Sequence, residues 1–275
     1  MDKTPVKVLL TGGGTGGHIT PLLAVAHKLK QKQPNAQITY VGERGGKFAA
    51  MTDGQAVFDE QKQIFAGKFR RYHGESWLTR VLDIKTLLLN VRDFFYVGFG
   101  FIESIFLLKK VKPDVILLKG GFVGMPIGLA AAALKIPFIT HDSDALPGLA
   151  NRLVARWARY HATGMPASFY SYPKEATRYV GVLVSEKYQP VTAKDQAAFR
   201  EELHIPADAA VLMVTGGSLG SQAINQAIKS ILPDLKKAVP ALFVVHQTGR
   251  GKMYEIPDTT SWLDVQPLLQ DMHRY

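Results

Sequence analysis

Val6-Lys7-Val8-Leu9-Leu10-Thr11-Gly12-Gly13-Gly14-Thr15-Gly16-Gly17-His18 is the stretch whose reading sets the fold class. An apolar run ends in five glycines within six residues, and a helical pattern follows from Pro21 to Gln31. Glycines let backbone N–H groups approach a phosphate, and a helix N-terminus adds partial positive charge. Gln37–Val41 then reads as a second strand ending at Gly42-Glu43, which completes a βαβ unit of a parallel sheet. Gly12, Gly14 and Gly17 satisfy G-x-G-x-x-G, with Glu43 placed to meet a ribose. A tight turn without ligand would carry the same glycines. His18, at the helix edge, is disfavoured as a cation there and is a candidate proton acceptor, or else a cap or packing residue.

The pattern recurs. Val211–Val214 leads into Thr215-Gly216-Gly217-Ser218-Leu219-Gly220-Ser221, a helix is expected over Gln222–Lys236, and Leu242–Gln247 reads as a strand. Ser218 is a candidate phosphate contact and, alternatively, the N-cap of that helix. His246-Gln247-Thr248-Gly249 ends the last strand as a ligand-facing loop would, or as an ordinary turn. Between the two units lie a strand at Val115–Leu118, the turn Gly120-Gly121, a small-residue helix at Met125–Leu134 and a strand at Ile136–Thr140. Leu149–Trp157 looks helical, short β-like pieces follow up to Gly181, and a linker is expected around Val182–Thr192, then a helix at Asp195–Leu203. His141-Asp142-Ser143-Asp144 sits at a strand's carboxyl end. Its spacing does not fit a metal site, and two carboxylates there more often cap the next helix; Asp144 is also placed to meet a substrate hydroxyl.

Composition excludes little but excludes it firmly. The 275 residues are 47% hydrophobic and 20% charged, enough for a sizeable core. There is no cysteine, so disulfides and thiolate metal sites are ruled out. No secretory signal pattern precedes Val6. The net charge of +10 suits an anionic partner. About half of it falls between Ile64 and Lys112, where nine Lys/Arg face four Asp/Glu. This stretch is also apolar: Trp77, Val81, Ile84 and Leu88 share a helical spacing, and Phe94–Ile102 is an uncharged run of nine. Charges interrupt it too often for a span of about 20 residues. Two readings remain: a helix or helix pair with its apolar face in the core, or an apolar patch with a basic rim on an anionic membrane.

Gly13–His18 with Pro21 and Leu23–Ala26 resembles the N-terminal motif of the MurG family, the bacterial glycosyltransferases that complete lipid II. Gly120-Gly121-Phe122-Val123 with Pro126 is similar to its second glycine loop. His141–Asp144 with Pro147-Gly148-Leu149-Ala150-Asn151 is similar to its H-E-[QS]-[ND] block and the P-G-x-A-N that follows. Thr215–Ser218 with Gly220, Ile224 and Asn225, then His246–Gly249, then Asp271-Met272, continue the resemblance in order.

The resemblance implies an α/β GT-B fold of two Rossmann-like domains facing a cleft. They would be an acceptor and membrane-binding domain at 1–183 and a partial donor domain at 184–275. It implies an inverting transfer of GlcNAc from UDP-GlcNAc to a muramoyl pentapeptide on a polyprenyl diphosphate, without metal or other cofactor. It places the enzyme peripherally on the cytoplasmic face of the plasma membrane, through residues 76–112, with no nucleic-acid partner. His18 would be the catalytic base. Thr15, Gly16, Gly17, His18, Gly120, Gly121 and Asp144 would bind the acceptor, and Thr15, Gly16, Gly17, Asp144, Gly217, Ser218 and Gln247 the donor.

The chain departs from the family pattern at Asp142, where Glu is usual, and at Gly181-Val182-Leu183-Val184 in place of G-[NS]-P-[VI]-R. Only about 85 residues follow position 190, short of a full doubly wound half. A truncated, weak or inactive transferase is therefore expected. Its rivals are a paralogue with another lipid acceptor, a non-catalytic lipid-binding remnant and, more distantly, an NAD-dependent oxidoreductase.

Overall fold

A computed structural model describes residues 5–46, 49–68, 83–185, 188–217, 219–255, 261–269 and 272–275. The chain divides into two compact units, 1–185 and 186–275.

The first unit is built on a seven-stranded sheet in the order β3-β2-β1-β4-β5-β6-β7, parallel throughout. Its strands are β1 (Lys7–Thr11), β2 (Gln37–Glu43), β3 (Glu60–Ile64), β4 (Val115–Leu118), β5 (Phe138–Asp142), β6 (Tyr160–Thr163) and β7 (Thr177–Tyr179). Parallel strands need crossovers, and these are α1 (Gly16–Lys32), α2 (Ile84–Val111), α3 (Gly124–Ala133) and the short α4 (Leu149–Val154). Alternation along β1 feeds both faces. Leu9 packs with Ile127 and Ala130 of α3 and Leu108 of α2, whereas Val8 and Leu10 pack with Leu22 and Ala26 of α1.

Several sequence expectations shift here. Helix α1 begins at Gly16, five residues before the expected start, and carries Pro21 inside it. Strand β3 was not expected, because Glu60-Gln61-Lys62-Gln63 is polar; as an edge strand it pairs only with β2. Leu149–Trp157 is α4 followed by a 3₁₀ turn at Ala155–Trp157.

Of the two readings of the basic apolar stretch, the one with its apolar face in the core is corrected, and the outward apolar patch agrees with the exposure of α2. Trp77 and Val81 lie outside the described residues. From Asp83, whose side chain accepts from the Thr86 N–H at 3.0 Å, α2 runs for 28 residues. The face bearing Ile84 and Leu88 does not enter the core: both are 64% exposed. Leu87, Val91, Phe94, Phe95, Phe99, Ile102 and Phe106 are exposed with them. Their spacing of three and four residues makes one continuous outward stripe. The buried face is mixed: Val97 and Leu108 lie there with Asp93, Gly100 and Ser104, and Phe101, Ile105 and Leu107 pack partly buried against the core. Ser104 Oγ donates to the Gly100 carbonyl at 2.6 Å, and Glu103 takes the Phe65 N–H at 2.7 Å and Arg44 at 2.6 Å. Among the described residues, no helix is long and apolar enough to cross a membrane.

The second unit has a three-stranded parallel sheet, β10-β9-β8, from β8 (Ala210–Thr215), β9 (Leu242–Gln247) and β10 (Leu263–Gln266). Helix α5 (Ala193–Glu202) opens with a capping box between Thr192 and Asp195, and α6 (Gln222–Ala238) links β8 to β9. Its N-cap is Ser221, which accepts from the Ile224 N–H; Ser218, the expected cap and phosphate contact, lies outside the described residues.

Two glycines of α2 should respond oppositely to alanine. A Cβ at Gly100 would overlap the Phe65 carbonyl, whereas one at Gly98 meets nothing within 4 Å. Gly98→Ala should stabilise by up to about 1 kcal/mol, as in an open helix. Gly100→Ala should destabilise by about 1–3 kcal/mol despite the same gain in helix propensity. Urea denaturation of the two variants checks the pair.

Candidate functional site

The order of the first sheet reverses between β1 and β4, and ligands of open α/β sheets bind at the carboxyl ends flanking such a reversal. Both glycine turns of the first unit meet there. Gly120 and Gly121 adopt φ of 96° and 75°, which favour glycine. Gly121 lies so close to the Gly13 carbonyl that a Cβ would overlap it. Thr15, extended at φ −150°, is the N-cap of α1. Gly16 and Gly17 open the helix, whose first N–H groups have no intrahelical acceptor.

His18 packs against this junction. Its Nδ1 lies 3.0 Å from Thr15 Oγ1, and Gly120 and Gly121 border its ring. Burial, aided by the Lys119 cation, lowers the His18 pKa against the opposing pull of the Gly13 carbonyl, Asp144 and Asp142. His18 is therefore neutral at neutral pH, as the sequence reading requires of a proton acceptor.

Asp142 and Asp144 divide. Asp142 is buried; its Oδ1 accepts from the Gly148 N–H and Asn151 Nδ2, both at 2.9 Å, and its Oδ2 from Tyr172 at 2.9 Å. It ties Gly148, the residue before α4, and the Asn151 side chain to the end of β5, and does not cap the first turn of α4 itself. The Asp144 side chain is exposed, with its backbone carbonyl held by Tyr170 at 2.7 Å. His141 turns away, its Nε2 lying 3.2 Å from the Gly181 carbonyl. Among the described residues its buried Nδ1 has no hydrogen-bond partner, and burial with the Lys119 charge lowers its pKa to about 4. Among the described residues, no group of three His, Asp or Glu is placed to hold a metal ion.

On the other side of the first loop, Gly13, Gly14, Tyr40, Glu43, Asp53 and Lys62 line a cleft of about 240 Å³. Glu43, the ribose candidate, is in its wall.

The second unit has its own junction. Gly217 and Gly220 take φ of 75° and 65°, and a Cβ at Gly220 would overlap the Thr248 carbonyl. Gln247 does not face outward as a ligand-facing loop would require. It is 2% exposed, donates to Thr215 Oγ1 at 3.1 Å and the Gly217 carbonyl at 2.8 Å, and accepts from the Leu269 N–H at 2.8 Å. It holds the loop's shape. His246 and Thr248 are likewise buried.

Sequence reasoning gave no role to three residues of the two junctions, although Asn225 stood in a quoted motif. Asn225 donates to the Thr248 and Lys252 carbonyls and lies 3.1 Å from His246 Nε2. Lys252 donates to the Leu219 and Gly220 carbonyls at 2.9 and 3.0 Å. Lys119, 4% exposed, sits at the end of β4. The one signal for it was a charge directly after the apolar run Val115–Leu118.

Two parallel α/β units, each with a glycine loop at the carboxyl edge of its sheet, define a protein of the α/β GT-B class. The chain belongs to glycosyltransferase family 28: residues 8–163 match the family's N-terminal domain and residues 211–274 its C-terminal domain. It is 34% identical over 247 residues to a UDP-N-acetylglucosamine–N-acetylmuramyl-(pentapeptide) pyrophosphoryl-undecaprenol N-acetylglucosamine transferase of Lachnospira eligens. It is 35% identical over 253 residues to the protein of the same name from Shouchella clausii. The alignments take in 90% of this chain and 63% of each relative, so the chain spans less than two thirds of their length. Among solved structures, Acinetobacter baumannii MurG is similar in fold, with a TM-score of 0.59 at 23% identity, covering 98% of this chain and 68% of that one. The MurG resemblance and the GT-B fold class read from the motifs both hold.

Because His141 is buried neutral, folding should lose stability as pH falls from the ordinary imidazole value of 6.5 towards about 4. In this window the unfolded chain takes up a proton that the folded chain refuses. The loss should reach about 3 kcal/mol, with His161, also lowered by burial, adding in the same direction. His141→Gln should flatten the profile in urea melts at stepped pH; an unchanged slope would remove His141 as its cause.

Proposed function

We propose that this chain carries the machinery of an inverting transferase moving N-acetylglucosamine from UDP-GlcNAc to a muramoyl pentapeptide on a polyprenyl diphosphate, a step of peptidoglycan synthesis. The observation that carries the reading is the pair of glycine-loop junctions, one per unit, in a chain of this family. Two phosphate-bearing substrates need two anion sites. In this reading the first junction seats the acceptor's diphosphate, near Thr15, Gly16, Gly17, Gly120 and Gly121. The exposed Asp144 meets a sugar hydroxyl. Neutral His18 takes the proton as the acceptor's C4 hydroxyl attacks the anomeric carbon and UDP departs. The second junction, at Gly217 and the start of α6, holds the UDP phosphates and stabilises the charge that builds on them.

A lipid-linked acceptor requires the enzyme at a bilayer, and the outward stripe of α2 supports that. It joins exposed Phe94, Phe95, Phe99 and Phe106 to Lys109, Lys110 and Lys112 at the helix's end. Apolar insertion and attraction to anionic headgroups act together in such a surface helix. We assign it to peripheral docking on the cytoplasmic leaflet.

Calorimetry with UDP-GlcNAc tests the transferase reading, on this chain and on a version extended to the length of its relatives. Binding by the extended version supports it; no binding by either overturns it and leaves a lipid-binding protein. Co-sedimentation tests the docking face. The chain should pellet with vesicles containing phosphatidylglycerol, and Phe95→Ser, Phe99→Ser and Phe106→Ser combined should weaken this by at least about 100-fold, since burying a phenyl side chain is worth about 1.5–3 kcal/mol. The substituted residues are exposed, so melting temperature should hold.

A further inference from the structure

We propose that Lys119 is the cation of the first junction, contacting directly the diphosphate seated between its two glycine loops. This deepens the acceptor reading above and rests on it.

The case begins with burial. Lys119 is 4% exposed, yet its ammonium makes one hydrogen bond, to Ser143 Oγ at 3.0 Å. Among the described residues it forms no ion pair within 4.0 Å. An ammonium has three N–H donors, so two remain. One bond to a neutral hydroxyl does not offset the desolvation of a buried charge, which is worth several kcal/mol. A brace between β4 and β5 would be better made by a neutral side chain. The carboxylates of Asp142 and Asp144 act on Lys119 only at a distance, and Asp142 is already engaged by Gly148, Asn151 and Tyr172.

The position supplies the missing anion. Lys119 directly precedes Gly120-Gly121, and its Cβ borders Gly12 of the first loop. Its charge is felt by His18 on one side and His141 on the other. A diphosphate at the start of α1 would accept from backbone N–H groups and from this ammonium, as charge-assisted hydrogen bonds in a site of low dielectric. With that anion in place, the Lys119 charge is neutralised and its hold on His18 relaxes, so ligand binding itself raises the basicity of the proton acceptor.

The test reads the site at His18. Its imidazole proton resonance, assigned by its loss in His18→Gln, is followed while inorganic pyrophosphate is added to the whole chain. The wild-type resonance should move and saturate. Lys119→Met should weaken that binding by at least about tenfold, the worth of one hydrogen bond to a charged group. Lys119→Arg should recover most of it. Without pyrophosphate, Lys119→Met should also raise the His18 titration midpoint, which a merely structural role would not do. An unmoved His18 resonance in the wild type, or equal binding by Lys119→Met, overturns the assignment. Transferase activity is not read here, so failure of the transferase reading shows separately, in the UDP-GlcNAc titration.

Discussion

Everything at the first junction depends on two backbones passing closer than side chains allow. Gly121 lies on the Gly13 carbonyl, in a conformation other residues adopt only under strain. That contact joins the turn after β1 to the turn after β4, the two strands that flank the reversal of sheet order. His18 is held against Gly120 and Gly121 as a result, and Lys119 is carried into the same place by the end of β4. A single methyl group at position 121 would have to move one turn off the other and dismantle the grouping.

The second unit repeats the device with different supports. Gly220 lies against the Thr248 carbonyl, and Gln247, Asn225 and Lys252 tie the two turns together through backbone groups. These polar side chains are engaged with protein atoms. They give the loop its shape. Gln247 reads from sequence as a contact residue and stands in the structure as a support.

Much of this was legible in the residues. Strand β9 falls where its apolar run ends, at Gln247, because a buried parallel strand writes itself as a continuous apolar segment; the apolar run of β8 also ends at Thr215, although that strand is at the sheet's edge and only Val214 is buried. Strand β3 was not legible, since an edge strand of Glu60-Gln61-Lys62-Gln63 carries no such signal. The start of α1 was hidden because Gly16 and Gly17 are poor helix formers, kept where the backbone must lie open. Periodicity found the face of α2 but not its direction. A stripe of Leu and Phe implies a core, yet the buried face of α2 mixes Val97 and Leu108 with Asp93, Gly100 and Ser104, and Gly100 lies against the Phe65 carbonyl where no side chain fits. Lys119 escaped because a lone lysine at a strand end reads as a solvated charge, and only the fold reveals its burial.

The positive charges of the first unit stand in two media. Lys109, Lys110 and Lys112 are in water, where mobile ions weaken their reach beyond about 8 Å at physiological ionic strength. Lys119 is enclosed by protein, where counter-ions do not follow. Added salt therefore silences the helix end and leaves the strand end nearly untouched. On the roles proposed for them, salt would weaken the surface contact of the helix end and spare the anion contact of Lys119, so the two attachments would separate by ionic strength.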